Sequence, residues 1–341
     1  MTPLASAIAG LLLGALGVVA AGVVLARASD VIAARTNLGR VWVGSIFLAT
    51  TTSLPELLTD ISAVRIGSSD LAAGDLFGSS MANMLILAAI ALRPGAHLFR
   101  RAALDHTLSA ALAIVMTGIA AIAILLRPQT AVFALGAGSL VLLAVYLLGT
   151  RLLFLHTALV QEAGTTVELG AAAGAAKGGE RLPSLAWAVG RFLVAAAVII
   201  VAAPLFASSA VRIAELTGLA TSFIGTLLVG VTTSLPEVVT SIAALRLGAI
   251  DLAVGNLFGS NAFNMVIFVP LDLVAGGVPV LAAVSAVHAV TALMAIVMMA
   301  VALGAMVYRT KVPGANVDTF AVLLVAIYVV GMYFVYRAGG G

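Results

Sequence analysis

Cysteine is absent from the chain, which excludes disulfide frameworks, thiol nucleophiles, iron–sulfur clusters and thiolate zinc sites together. Charge is almost as scarce. Asp, Glu, Lys and Arg make up 9% of the 341 residues, where soluble domains carry about 25%. The 17 basic residues are scattered, with Arg100–Arg101 the longest run, so the +3 balance offers no surface for nucleic acid. No G-x-x-x-x-G-K-[ST] string is present, which argues against a pump driven by ATP. Neither H-E-x-x-H nor a Ser–His arrangement provides for hydrolysis. What the chain has in excess is apolar sequence, at 62%. It falls in long runs, and the protein reads as polytopic in a lipid bilayer.

A bilayer span takes about 20 mostly apolar residues. Charged and Pro/Gly-rich breaks give segments near 4–26, 42–64, 71–92, 103–126 and 130–153, then 186–208, 221–245, 252–272, 279–307 and 318–336. The expected fold class is therefore an all-α membrane protein with ten transmembrane helices. These form two sets of five, 1–155 and 186–341, about a Gly-rich polar linker at 156–185. Glu162, Glu168 and Glu180 in the linker lack the spacing of a calcium loop, and a flexible tether is the plainer reading. Ala26-Arg27-Ala28 imitates a signal-peptide cleavage site, but no basic residue precedes it and the apolar run exceeds the usual ~7–15 residues. It is read as a span.

Lysine and arginine divide thirteen to four between alternate sides, the linker lying on the richer one. This places the linker in the cytoplasm and both termini outside. An odd number of spans per half turns one half upside down relative to the other. Without an organelle presequence, the expected location is a cell inner (plasma) membrane.

Residues 44–87 align onto 225–268 without a gap at an offset of 181, with 23 of 44 positions identical. The matches include Thr, Ser, Pro, Glu, Arg, Asp, Gly and Asn, and the echo extends upstream from Ile32, Ala33, Thr36 and Leu38 to Ile213, Ala214, Thr217 and Leu219. Inverted five-span repeats with polar motifs in corresponding interrupted helices are the pattern of a secondary transporter with a midplane site.

The centre of each repeat is a glutamate. Glu56 and Glu237 fall deep in the second and seventh spans, where a carboxylate costs about 2.5–3.5 kcal/mol on insertion scales and reads as ion or proton handling. Each follows a proline, in Thr52-Ser53-Leu54-Pro55-Glu56 and Thr233-Ser234-Leu235-Pro236-Glu237. Proline gives no N–H to the carbonyl four residues back, so the carbonyls of Thr51 and Thr232 need another partner inside the membrane. The third and eighth spans supply a facing wall: Ser79 and Asn83, matched by Ser260 and Asn264, lie four apart on one helix face. Asp75 and Asn256 stand one turn earlier on that stripe, and Gly74, Gly78, Gly255 and Gly259 permit close helix approach. All these donors are hard oxygens. Calcium takes six to eight such ligands in forgiving geometry, while magnesium demands a near-ideal octahedron; two glutamates balance a doubly charged ion, and the same oxygens suit sodium.

With these motifs the sequence closely resembles the calcium/cation antiporter superfamily, which includes sodium/calcium exchangers, and residues 44–87 and 225–268 look like its two alpha-repeats. The resemblance implies ion ligation by Glu56 and Glu237 with Asn83 and Asn264 opposite, and a lining of Thr52, Ser53, Ser79, Thr233, Ser234 and Ser260. It also implies alternating access, the first and sixth spans sliding across the other eight. Thr51 and Thr232 stand where the family often has glycine. Asn83 and Asn264 stand where many sodium/calcium exchangers carry an aspartate in one repeat. Asp60, one turn beyond Glu56 and matched by Ser241, breaks the symmetry. It reads as an extra cation or proton site on the access path, with an interfacial bridge to Arg65 as its rival.

The expected function is Ca2+ export in exchange for Na+, with no cofactor and no enzymatic activity. H+/Ca2+ antiport through the same glutamates is the alternative, and a cation channel stands further off. His97, His106, His156 and His288 are set aside as not recurring between the repeats, and Asp70 and Asp251 as helix-start caps.

Overall fold

The computed structural model describes residues 3–36, 38–93, 98–101, 106–164, 183–217, 233–308 and 318–339. Long apolar runs become helices because only there can every backbone N–H and C=O be satisfied inside the segment. In chain order they are α1 (Pro3–Thr36), α2 (Gly39–Thr52), α3 (Leu54–Arg65), α4 (Ser69–Ala91), α5 (His106–Leu126) and α6 (Ala137–Gly164). The second half contributes α7 (Leu185–Thr217), α8 (Leu235–Arg246), α9 (Ile250–Ala275), α10 (Val287–Tyr308) and α11 (Thr319–Gly339). Among the described residues, seven helices are long and apolar enough to cross a membrane, or eight if α2 and α3 form one span bent by 40°. The ten-span expectation is met in part. Residues 221–232 of the seventh segment and 165–182 of the linker lie outside the described residues, and the start of the expected linker continues α6 to Gly164.

Two expected boundaries are corrected. The fifth segment does not begin as helix at 130: Ala131–Val132 and Leu135–Gly136 pair as a short antiparallel hairpin, β1 and β2, and helix begins at Ala137. The fold is thus nearly, not wholly, helical. The ninth segment likewise breaks, with a short turn at Val280–Ala283, extended backbone at Val284 and helix from Val287. One side chain accounts for both irregularities. The buried Asp272 carboxylate accepts the N–H of Gly136 at 2.8 Å and of Val280 at 2.7 Å, satisfying backbone groups that a helix would have paired internally.

The apolar side chains form two clusters. A larger one joins α4, α5, α9 and α10; a smaller one joins α1 and α7 with Ala243 and Ala244 of α8. Along α1 and α7 the contact is nearly backbone to backbone. A Cβ added at Gly14 would sit 2.6 Å from the Phe206 nitrogen, and one at Gly17 would sit 2.7 Å from Ala202 Cβ. Small residues of this kind supply the close packing that lipid, itself apolar, cannot drive. The two clusters share Trp42 of α2 and Leu245 of α8 at their margins, beside the elements α3 and α8 that carry the glutamates.

Candidate functional site

Both glutamates are placed by the same backbone device. Ser53 leaves the helical region at φ −89°, ψ 6°, and Pro55 opens α3; Ser234 does so at φ −78°, ψ 5°, and Pro236 opens α8. Glu56 and Glu237 follow at once in the first turn, each 1% exposed. Ahead of the first break the chain widens into one π-helical turn at Gly44–Leu48, a local rewinding often found at functional sites. That turn lies against α9. A Cβ at Gly255 would sit 3.0 Å from the Val41 carbonyl, and one at Gly259 would collide with the Ser45 backbone. Gly255 and Gly259 thus act as close-approach positions, but the expectation fails for their first-repeat mates among the described residues: a Cβ at Gly74 would make ordinary contact with His288 at 3.4 Å and one at Gly78 would meet nothing within 4 Å.

The side chains gathered at this crossing come from both halves. Glu237 Oε1 accepts from Ser53 Oγ and Ser260 Oγ, each at 3.3 Å. Thr52 Oγ1 lies 3.2 Å from Asn256 Oδ1, its acceptor, and 3.4 Å from Ser260 Oγ. Its symmetry mate Thr233 Oγ1 donates to Asp75 Oδ1 at 3.1 Å. Glu56 lies within electrostatic range of Glu237, Asp75 and Asp60. The Thr51 hydroxyl turns back to the Phe47 carbonyl at 2.8 Å, within its own helix. Thr232 lies outside the described residues.

Buried polar atoms in folded proteins are almost always hydrogen-bonded. Among the described residues twelve buried side-chain atoms have no partner, and nine of them belong to residues singled out by sequence. Six are Glu56 Oε2, Glu237 Oε2, Ser79 Oγ, Ser234 Oγ, Asn83 Oδ1 and Asn264 Oδ1; three are both oxygens of Asp60 and Oδ2 of Asp75. At about 1–3 kcal/mol each, six such atoms would offset much of the ~5–15 kcal/mol net stability of an ordinary domain. Oxygens of this kind are ones that a bound cation would satisfy. No three acidic, imidazole or thiolate side chains cluster in metal-holding geometry among the described residues, so the set offers two carboxylates and neutral oxygens.

Sequence reasoning missed three contributors. Asn261 Oδ1 accepts from Asn83 Nδ2 at 2.9 Å, while Asn261 Nδ2 donates to the Ser80 carbonyl at 3.3 Å. This fixes the amide of Asn83 with its oxygen facing away from the bond. Asn261 escaped notice because its counterpart is Ser80. The other two are histidines set aside as unrepeated, which do correspond between the repeats as polar contacts to aspartate. His106 Nε2 lies 3.0 Å from Asp251, and His288 Nε2 lies 3.1 Å from Asp70. Each pair joins one repeat to the other. The aspartates are 181 apart but the histidines 182, so a one-residue shift beyond the gap-free block hid the match. Both aspartates stand in the first turns of their helices, where the dipole favours a negative charge, and Asp70 also accepts the Ser285 N–H at 2.7 Å.

Comparison with known proteins bears on the family and the fold. The chain is 39% identical over 80 residues to the sodium/calcium exchanger MaX1 of Methanosarcina acetivorans, covering 24% of this chain and 23% of that protein. It is 51% identical over 43 residues to the inner membrane protein YrbG of Escherichia coli K12, covering 13% of each. These alignments span about a quarter or less of the curated relatives' length. The fold as a whole is that of the sodium-calcium exchanger NCX_Mj: a structure soaked with 10 mM Na+ and zero Ca2+ matches with a TM-score of 0.71 at 20% identity, over 97% of this chain and 99% of that one. A sequence profile described as sodium/calcium exchanger protein matches residues 6–155 and 187–337. Matched through both of its halves, the chain belongs to the sodium/calcium exchanger protein family.

Proposed function

We propose that the chain is a secondary antiporter, not an enzyme, that exchanges Ca2+ for Na+ across a membrane. The observation that carries this reading is the set of six buried, unpartnered oxygens on Glu56, Ser79, Asn83, Ser234, Glu237 and Asn264. Six is the lower end of calcium's coordination range, and freed carbonyls such as that of Thr51 extend it. Glu56 and Glu237 neutralise a doubly charged ion; Ser53 and Ser260 orient Glu237, while Thr52 and Thr233 line the site through Asn256 and Asp75. Sodium ions compete for the same oxygens, so calcium leaves as sodium enters. No cofactor takes part; calcium and sodium are the substrates.

The architecture that would do this is ten spans in two inverted five-helix repeats, 1–155 and 186–341, with a cytoplasmic linker and extracytoplasmic termini in a cell inner membrane. The α1–α7 pair, with its own apolar cluster, would slide across the rest to open the site alternately to each side. Both helices exceed 30 residues, or about 45 Å at 1.5 Å per residue, ample to reach both faces of a ~30 Å hydrocarbon core.

A second reading, H+/Ca2+ antiport, is favoured by Asn83 and Asn264. With amides at both positions the central set has two carboxylates, which two protons would discharge. Isotopic calcium uptake by proteoliposomes separates the readings. Uptake driven by an outward sodium gradient and insensitive to a protonophore is expected, and it should fall about 30–100-fold in Glu56→Gln and in Glu237→Gln. Uptake driven by a proton gradient alone would support the second reading, and steady unitary currents would make the protein a channel.

A further inference from the structure

One buried acidic pair has no task in calcium binding. Asp60 of α3 and Asp75 of α4 are 1% and 3% exposed, and their carboxylates lie near one another. No donor among the described residues reaches either oxygen of Asp60 or Oδ2 of Asp75. Arg65, the partner in the rival reading of Asp60, is exposed and makes no ion pair with it.

Pseudo-symmetry supplies an internal control. The corresponding residues of the second repeat are Ser241 and Asn256, and there the network closes. Asn256 Nδ2 donates to Thr240 Oγ1 at 3.1 Å and to Ser241 Oγ at 3.3 Å, while its oxygen accepts from Thr52. The same place in the first repeat holds two acids and three free oxygens. Asp272 provides a second contrast: it is equally buried, yet both its oxygens accept backbone N–H groups, as a structural carboxylate requires.

Buried carboxylates persist as charges only when paired or bound to a cation. Three free oxygens are too few for calcium, which takes six to eight. A second divalent charge one turn from Glu56 would also repel the first. A single positive charge meets neither objection. We propose that Asp60 and Asp75 form a second cation site, which takes a monovalent metal ion beside the Glu56–Glu237 centre and is joined to it through Thr233. Resting on the exchanger reading, this makes the ion sodium. Under the orientation expected from the arginine count, the site lies on the extracytoplasmic side, and the neutral Ser241–Asn256 pair lies opposite.

The test uses the full chain in proteoliposomes, with Asp60→Asn and the double variant Asp60→Ser/Asp75→Asn, which copies the second repeat. The sodium concentration for half-maximal exchange should rise about tenfold, equivalent to about 1.4 kcal/mol. The calcium concentration should move less than about threefold. An unchanged sodium curve overturns the proposal, as does an equal shift for both ions. A shifted pH profile with an unshifted sodium curve would assign the pair to a proton and overturn it equally. If the double variant does not fold, Asp60→Asn, which is nearly isosteric, decides. If the unaltered chain moves no calcium, the exchanger reading fails instead, and radioactive sodium binding to purified protein, with and without Asp60→Asn, still decides the acidic pair.

Discussion

The two repeats share one backbone plan and differ in charge. Thr52 reaches Asn256 as Thr233 reaches Asp75, and the prolines, glutamates and facing serines correspond pair for pair. One turn from the centre they part, with Asp60 and Asp75 on one side and Ser241 and Asn256 on the other. The neutral pair completes its hydrogen bonds within the protein, whereas the acidic pair leaves three oxygens without donors. An inverted repeat would otherwise present the same chemistry to both faces of a membrane. In the proposed exchanger the acidic pair would give one access path a charge that the other lacks.

The largest effect should come from the element the repeats share. Glu56→Gln or Glu237→Gln removes one charge from a doubly charged ligand's shell and should slow calcium exchange by about 30–100-fold, or about 2–3 kcal/mol, measured as initial isotopic uptake. The two losses should be similar; a loss confined to one glutamate would break the symmetric account. Next is the structural carboxylate. Asp272→Ala strips two backbone N–H groups of a charged acceptor, at about 1.5–3 kcal/mol for such a bond. It should lower the thermal unfolding temperature in detergent while moving sodium and calcium half-saturation less than about twofold. A selective sodium effect would show that unpartnered and satisfied carboxylates are not different in kind.

The closed network of the second repeat can be opened on purpose. Asn256→Asp removes two donated bonds and should cost about 1–3 kcal/mol of stability, read from denaturation of the purified protein. No loss would mean that the neutral pair is not held as drawn. The smallest contrast lies in the two histidine–aspartate contacts. The His106 side chain is fully buried, whereas His288 and especially its partner Asp70 are accessible to solvent. His106→Ala should therefore cost about 1–3 kcal/mol and His288→Ala less than about 1 kcal/mol, in the same unfolding assay.

What the sequence made legible was whatever it repeated. The offset of 181 exposed the glutamates, the prolines that break their helices, and the serines and asparagines opposite, because identical polar residues at matching depths in apolar helices are costly to keep. Asymmetric features were harder to read. Asn261 positions Asn83 but is matched by Ser80, and the histidines fell one residue out of register. Irregular backbone was hidden for another reason. Residues 130–136 and 279–286 are apolar enough to pass for helix, and only the distant carboxylate of Asp272, which no local pattern announces, offers their N–H groups an alternative partner.

The central claim is that two glutamates, one from each half, hold one calcium ion between them. Equilibrium binding of isotopic calcium to the purified chain in detergent tests it most directly. The account predicts about one ion per chain, displaced by sodium, and none retained by Glu56→Gln/Glu237→Gln. Undiminished calcium binding by that double variant would contradict it.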